Sequence, residues 1–223
     1  MSPDFSPPTV ETPVRQRRKE ARPGELAAAA MELFVEKGFA ATRLEDIAAR
    51  AGVSKGTVYL YFDGKEALFK AAVEAGIIPA LEQGEALLAE NGHPADELLR
   101  EFMRRWWRLL GETPFGGLPK LMLAEVRNFP EIAAWYHEQV IQRAMRLMGA
   151  ILERGVDQGL FRPVPPESSV FVVFAPMLML LLWRHGFACC GVAEMPSPEQ
   201  YLDNALDILI HGLAADAVPG VAP

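Results

Sequence analysis

Apolar residues recur at helical spacing over almost the whole chain. Leu26, Ala29, Ala30, Leu33 and Phe34 fall on one helical face, and Gly38 supplies the stop. Thr42 and Glu45 have the spacing of a capping box, which predicts a second helix over about 43–51, closed by a left-handed Gly52. Ser54 caps a third helix reaching about Phe62, and Asp63 with Glu66 forms another capping box that opens a fourth. The fourth helix runs to about Glu90, strained near Gly76 to Pro79, before Asn91-Gly92-His93-Pro94 breaks the chain. Five further helices follow, at about 95–110, 118–128, 131–158, 167–187 and 198–213. No strand pattern and no repeat interrupts them, so the chain is expected to be all-α with about nine helices.

Four stretches differ in character. Residues 1–22 are Pro/Ser-rich and end in the basic cluster Arg15, Arg17, Arg18, Lys19 and Arg22. Without apolar periodicity they read as a flexible basic arm, either a solvated tail or a segment reaching DNA phosphates or a minor groove. Residues 23–70 read as a three-helix module and 71–213 as a larger helical domain. Residues 214–223 read as a disordered tail.

Within the first module, residues 44–63 have the physical features of a helix-turn-helix. Two helices cross closely only where the contact residue is small, and Ala48 is there; the sharp turn needs Gly52. Leu44, Ile47, Ala51, Val53 and Val58 fill the wedge against the first helix. The second helix then offers Lys55, Thr57, Tyr59 and Tyr61 outward. Two tyrosines at i and i+2 cannot both face inward.

The run from Thr42 to Phe69 resembles the TetR/AcrR family of bacterial repressors, most tellingly at Gly52-Val-Ser54, Gly56-Thr-Val-Tyr59, Tyr61-Phe62 and Lys65-Glu66. The resemblance covers roughly residues 25–70; beyond that only length, helix count and order agree. It implies that Thr42, Tyr59, Tyr61 and Lys65 hold phosphates of a double-stranded operator. Lys55, Gly56 and Thr57 would lie against base edges beside the capping Ser54, and Arg43 would reach either. It also implies a homodimer through the last two helices and a small-molecule effector enclosed by the fifth to seventh.

Charge agrees once divided along the chain. Residues 1–70 carry eleven Lys and Arg against ten Asp and Glu, whereas the rest carries eleven against nineteen. The near-neutral head can hold phosphates through grouped bases while the acidic body repels DNA.

Residues 168–183 are uncharged and raise the question of a membrane span. A span needs about 20 apolar residues, and this run is shorter, carries Pro176 and meets Arg184-His185. An over-hydrophobic helix is otherwise buried in a core or an interface, and a dimer face explains it better. With no signal-peptide pattern and only the adjacent Cys189 and Cys190, the chain reads as cytoplasmic. The two cysteines are either small residues after a buried helix or a thiol sensor.

No enzyme signature emerges. His137-Glu138 begins a zinc-protease motif, but Ile141 stands where the second His belongs. There is no GxSxG elbow, the one run with that spacing (Gly52-Val-Ser54-Lys-Gly56) lying in the helix-turn-helix, and no GxxxxGKS/T; His93, His137, His185 and His211 are scattered, so neither a metal nor a cofactor is expected. The candidate effector site comprises Phe102, Met103, Trp106, Met122, Glu125, Met145, Met148 and Met177, apolar residues on expected inner faces with one carboxylate among them. Glu125 needs a partner there, either an arginine such as Arg127 or Arg143 or the ligand itself. The expected function is a homodimeric repressor released by a mainly apolar ligand. The alternatives are a ligand-activated or ligand-independent regulator of the same fold, or a helical protein-binding adaptor.

Overall fold

A computed structural model of the chain describes residues 14–90, 92–187 and 197–215, with side chains from Arg22 onward. Eleven α-helical segments follow one another: α1 (Val14–Lys37), α2 (Leu44–Arg50), α3 (Lys55–Tyr59), α4 (Lys65–Gly76), α5 (Ile78–Ala89) and α6 (Ala95–Gly111) come first. Then come α7 (Leu118–Glu125), α8 (Pro130–Tyr136), α9 (Gln142–Asp157), α10 (Pro166–Gly186) and α11 (Pro198–Leu213). With α4–α5 and α8–α9 each counted as one rod, the described residues hold nine helices and no sheet. Among the described residues one isolated bridge joins Phe161 to Ala214.

Several boundaries differ from the sequence expectation. The arm is helical from Val14, because residues 14–22 contain no proline and are rich in helix formers. Pro23 lies inside α1, where it cannot donate to the Lys19 carbonyl; it was expected to mark the helix start. The fourth helix is split at Ile77, just before Pro79. Residue 118–125 helix α7 stops three residues short of Asn128, where Asn128 and Phe129 N–H groups both turn back to the Glu125 carbonyl. The long seventh rod contains a π turn, His137–Ile141. Its buried residues Ile132, Tyr136, Val140 and Ala144 step by four, which overshoots a 3.6 period, and the wider π turn takes up the excess. At the far end, Ala215 N–H donates to the Leu160 carbonyl at 3.0 Å, so the expected tail begins with two anchored residues. The remainder of that tail, residues 1–13, and Cys189 with Cys190 lie outside the described residues.

Helices α1 to α4 build the head. Leu26, Ala30, Leu33 and Phe34 of α1 are buried against Ile47, Val58, Leu68 and Phe69. Burying each of the larger of these side chains contributes about 1.5–3 kcal/mol. The body packs onto the head through a 3-10 turn, Pro114–Gly117. A Cβ on Gly117 would stand 2.2 Å from Val35 of α1, so only glycine permits this approach. In the body, α9 packs against α5, α6 and α10, and α10 against α7 and α11. Gln158 caps the start of α6 by accepting from Ala95 N–H at 2.9 Å.

Candidate nucleic-acid interface

The turn forms as its residues dictate. Gly52 takes φ +66, and Val53 N–H returns to the Ala48 carbonyl at 2.9 Å. Ser54 caps α3, its Oγ accepting from Thr57 N–H at 3.2 Å and lying 2.9 Å from Thr57 Oγ1. Ile47, Ala48 and Val58 are buried, while Leu44, Ala51 and Val53 are half-buried, as the wedge requires. This leaves one face of α3 in solvent, bearing Ser54, Lys55, Gly56, Tyr59 and Leu60, with Thr57 half-buried at its edge.

Lys55 is held for the present by Glu45 of α2 at 2.5 Å, with its ammonium 5.7 Å from the Tyr59 ring. The hydrogen bond to Glu45 raises the Lys55 pKa, and an anion reaching this ammonium has to displace that carboxylate. Gly56 is not demanded by the protein's own packing, since a Cβ would meet nothing closer than Ser54 Oγ at 3.8 Å. Leu60 was missed in the sequence. It is 80% exposed, the barest large apolar side chain among the described residues, and only its unbroken position between two tyrosines could have pointed to it.

Two expected phosphate ligands change. Thr42 is buried, its hydroxyl donating toward the carbonyls of Gly38 (2.7 Å) and Leu33 (3.2 Å). It closes α1 and is withdrawn as a phosphate contact. The second helix is capped one residue later than expected, with Asp46 Oδ2 accepting from Arg43 N–H at 3.4 Å, and Arg43 itself is exposed. The Asp63 box is likewise absent; Gly64 occupies the cap of α4 without a side-chain bond. Lys65 donates to the carbonyls of Phe39 (2.7 Å) and Ala40 (3.1 Å). Burial holds its pKa below the ordinary lysine range, partly offset by Glu125. An ammonium has three donors, so one remains for an anion. Tyr61 is half-buried.

The expected effector residues do not converge. Met103, Met148 and Met177 are fully buried core, and Met145 is half-buried. Met122 and Glu125 instead adjoin Phe39 and Phe129 beneath the head, where the space is too small for a water. Glu125 pairs with neither Arg127 nor Arg143. It accepts from Ala40 N–H at 3.1 Å and Asn128 Nδ2 at 3.0 Å, and these bonds, Asn128 first, hold its carboxyl below the usual range. Arg143 is taken by Glu85 in a bidentate pair at 3.0 and 2.8 Å. Phe102 and Trp106 do line a cleft, of about 450 Å³, between α5, α6 and α9. Their rings stack at 5.5 Å and 14°, with Leu87, Ile151, Arg105 and Arg108 around them.

A short exposed helix set on a capped glycine turn, carried by a helical body, defines a helix-turn-helix DNA-binding regulator. Residues 26–72 match the model of bacterial regulatory proteins of the tetR family, and residues 94–188 that of the tetracyclin repressor-like C-terminal domain. The transcriptional repressor NicS of Pseudomonas putida is 30% identical over 216 residues, covering 92% of this chain and 98% of NicS. SmeT, the repressor of the Stenotrophomonas maltophilia multidrug efflux pump SmeDEF, superposes with a TM-score of 0.64 at 27% identity, covering 90% of this chain and 95% of SmeT. FadR of Bacillus subtilis, solved in complex with stearoyl-CoA, gives 0.66 at 19% identity, covering 85% and 98%, and shares the fold. The chain belongs to the TetR family and is a DNA-binding transcriptional regulator.

Proposed function

We propose that the protein is a cytoplasmic homodimeric repressor that holds a two-fold operator and releases it when a small ligand enters the body. The exposed face of α3, offering Lys55, Gly56, Thr57, Tyr59 and Leu60 while Val58 anchors it, carries the proposal. Placed in a major groove, Lys55 and Thr57 meet base edges, Gly56 allows close approach, and Tyr59, Tyr61, Arg43 and Lys65 take flanking phosphates. Leu60 suits a thymine methyl group.

Dimerisation is supported by the apolar face that α10 and α11 leave uncovered. Phe171, Val172, Met179 and Ile208 are each more than half exposed. Among the described residues α10 is the one helix long and apolar enough to cross a membrane, and a second α10–α11 pair would cover the same face. Effector binding is supported by the α5–α6–α9 cleft, whose stacked aromatic wall and arginine rim suit an apolar body with a polar handle. Both NicS and SmeT are named repressors, and FadR with stearoyl-CoA is a case of this fold holding an organic ligand.

The test is titration of the full chain against duplexes it selects from a random library, with and without apolar organic anions. Two-fold sites bound in the absence of ligand and released by one of them are the expected result. Binding that appears only after a ligand is added would replace the repressor with an activator.

A further inference from the structure

Among the described residues, Thr42 and Glu125 are the two polar side chains that are buried. Glu125 sits on α7 in the body, yet its carboxylate serves the head, accepting from Ala40 N–H across 85 residues of sequence. The loop between α1 and α2 is thereby held from two sides. Its carbonyls at Phe39 and Ala40 are taken by Lys65 of α4, and its N–H at Ala40 by Glu125 of α7. Phe39 fills the space between them, 4.8 Å from Phe34 of α1 and 4.7 Å from Phe129 just beyond α7. The same eight-residue α7 packs against α10, the helix assigned above to the dimer.

We infer that Glu125 is a positioning residue for operator binding: it sets the orientation of the head on the body, and so the separation of the two recognition helices. This rests on the homodimer proposed above. Two recognition helices must lie about 34–36 Å apart, or a multiple, to enter successive major grooves. A head free to pivot about the 38–41 loop still fits one half-site but no longer presents both at that spacing. Glu125 lies outside the head core of Phe34, Ile47, Val58 and Phe69, and its bonds fall at the junction of head and body. A buried carboxylate is costly unless its geometry is used. Movement of α7 driven from α10 would reach the head through this bond and through the packing of α7 on α1.

The experiment compares full two-fold sites with single half-sites, the other half scrambled, using the full-length protein. Glu125→Leu should lower full-site affinity about 5–150-fold, the range of ordinary coupling between sites, and leave half-site affinity within about twofold. Glu125→Gln keeps an acceptor for Ala40 N–H and should recover part of the loss. Asn128→Ala, which removes the other partner of the carboxylate, should show the same split and serves if the leucine variant does not fold. Equal losses on full and half sites, or no loss on either, would overturn the inference while leaving the dimer intact. Wild-type protein with no preference for full sites would end the two-headed repressor and this inference together.

Discussion

Phe171→Asp offers a direct measure of the proposed dimer face. The ring is 59% exposed on α10 beside Val172, with Met179 two turns along. Taking an aromatic side chain as about 200 Å², some 120 Å² of apolar surface would be removed from water on pairing. At about 25 cal/mol per Å² that is roughly 3 kcal/mol. A two-fold interface uses the residue twice, so the substitution removes about 6 kcal/mol and inserts two unpaired carboxylates. With about 1.4 kcal/mol per decade, the dimer dissociation constant should rise by at least about 10⁴-fold. Sedimentation velocity over a concentration series reads this directly, and circular dichroism checks that helix content persists. An asparate variant that remains dimeric at wild-type concentrations, or a wild-type chain that sediments as a monomer, would refute the assignment of this face.

Other outcomes are equally specific. Gly56→Ala should be neutral or stabilise by up to about 1 kcal/mol in thermal melts, since alanine favours helix, yet lower operator affinity at least tenfold; unchanged affinity would remove the close approach. Leu60→Ala should weaken binding in the same measure as replacing operator thymines by uracil, and the two losses should not add. Phe39→Ala, at the junction of head and body, should destabilise by about 3–5 kcal/mol in denaturant melts. The carboxyls of Glu85, through Arg143, and Glu125, through Asn128, are held below the ordinary value. Their stabilisation is therefore full above the unfolded pKa of about 4.3 and is lost as pH falls through the lower folded value. Glu85→Gln and Glu125→Gln should each flatten the acid limb of stability against pH, and an unchanged limb would contradict both pairings.

What the sequence determined by itself were features settled within a few residues. Gly38 and Gly52 stop their helices because their backbones turn left-handed there. Ser54 caps α3 through a bond to its near neighbour Thr57, and the helical order from residue 95 onward follows from apolar spacing. The exposed face of α3 was legible because Val58 fixes which side is buried, leaving its neighbours outward. Periodicity says which face is buried but not what lies against it. Met103, Met148 and Met177 therefore read like Phe102 and Trp106, although of these five only the latter two line the cleft between α5, α6 and α9. Thr42 reads as a cap and a phosphate ligand until the Leu33 and Gly38 carbonyls claim its hydroxyl. Glu125 marks the limit most clearly. Its charge required a partner, and nearby arginines were the natural candidates, but Asn128 three residues on and a backbone N–H 85 residues away answered instead. Hydrogen-bond partners distant in sequence are set by how the domains pack, and only the tertiary structure decides that.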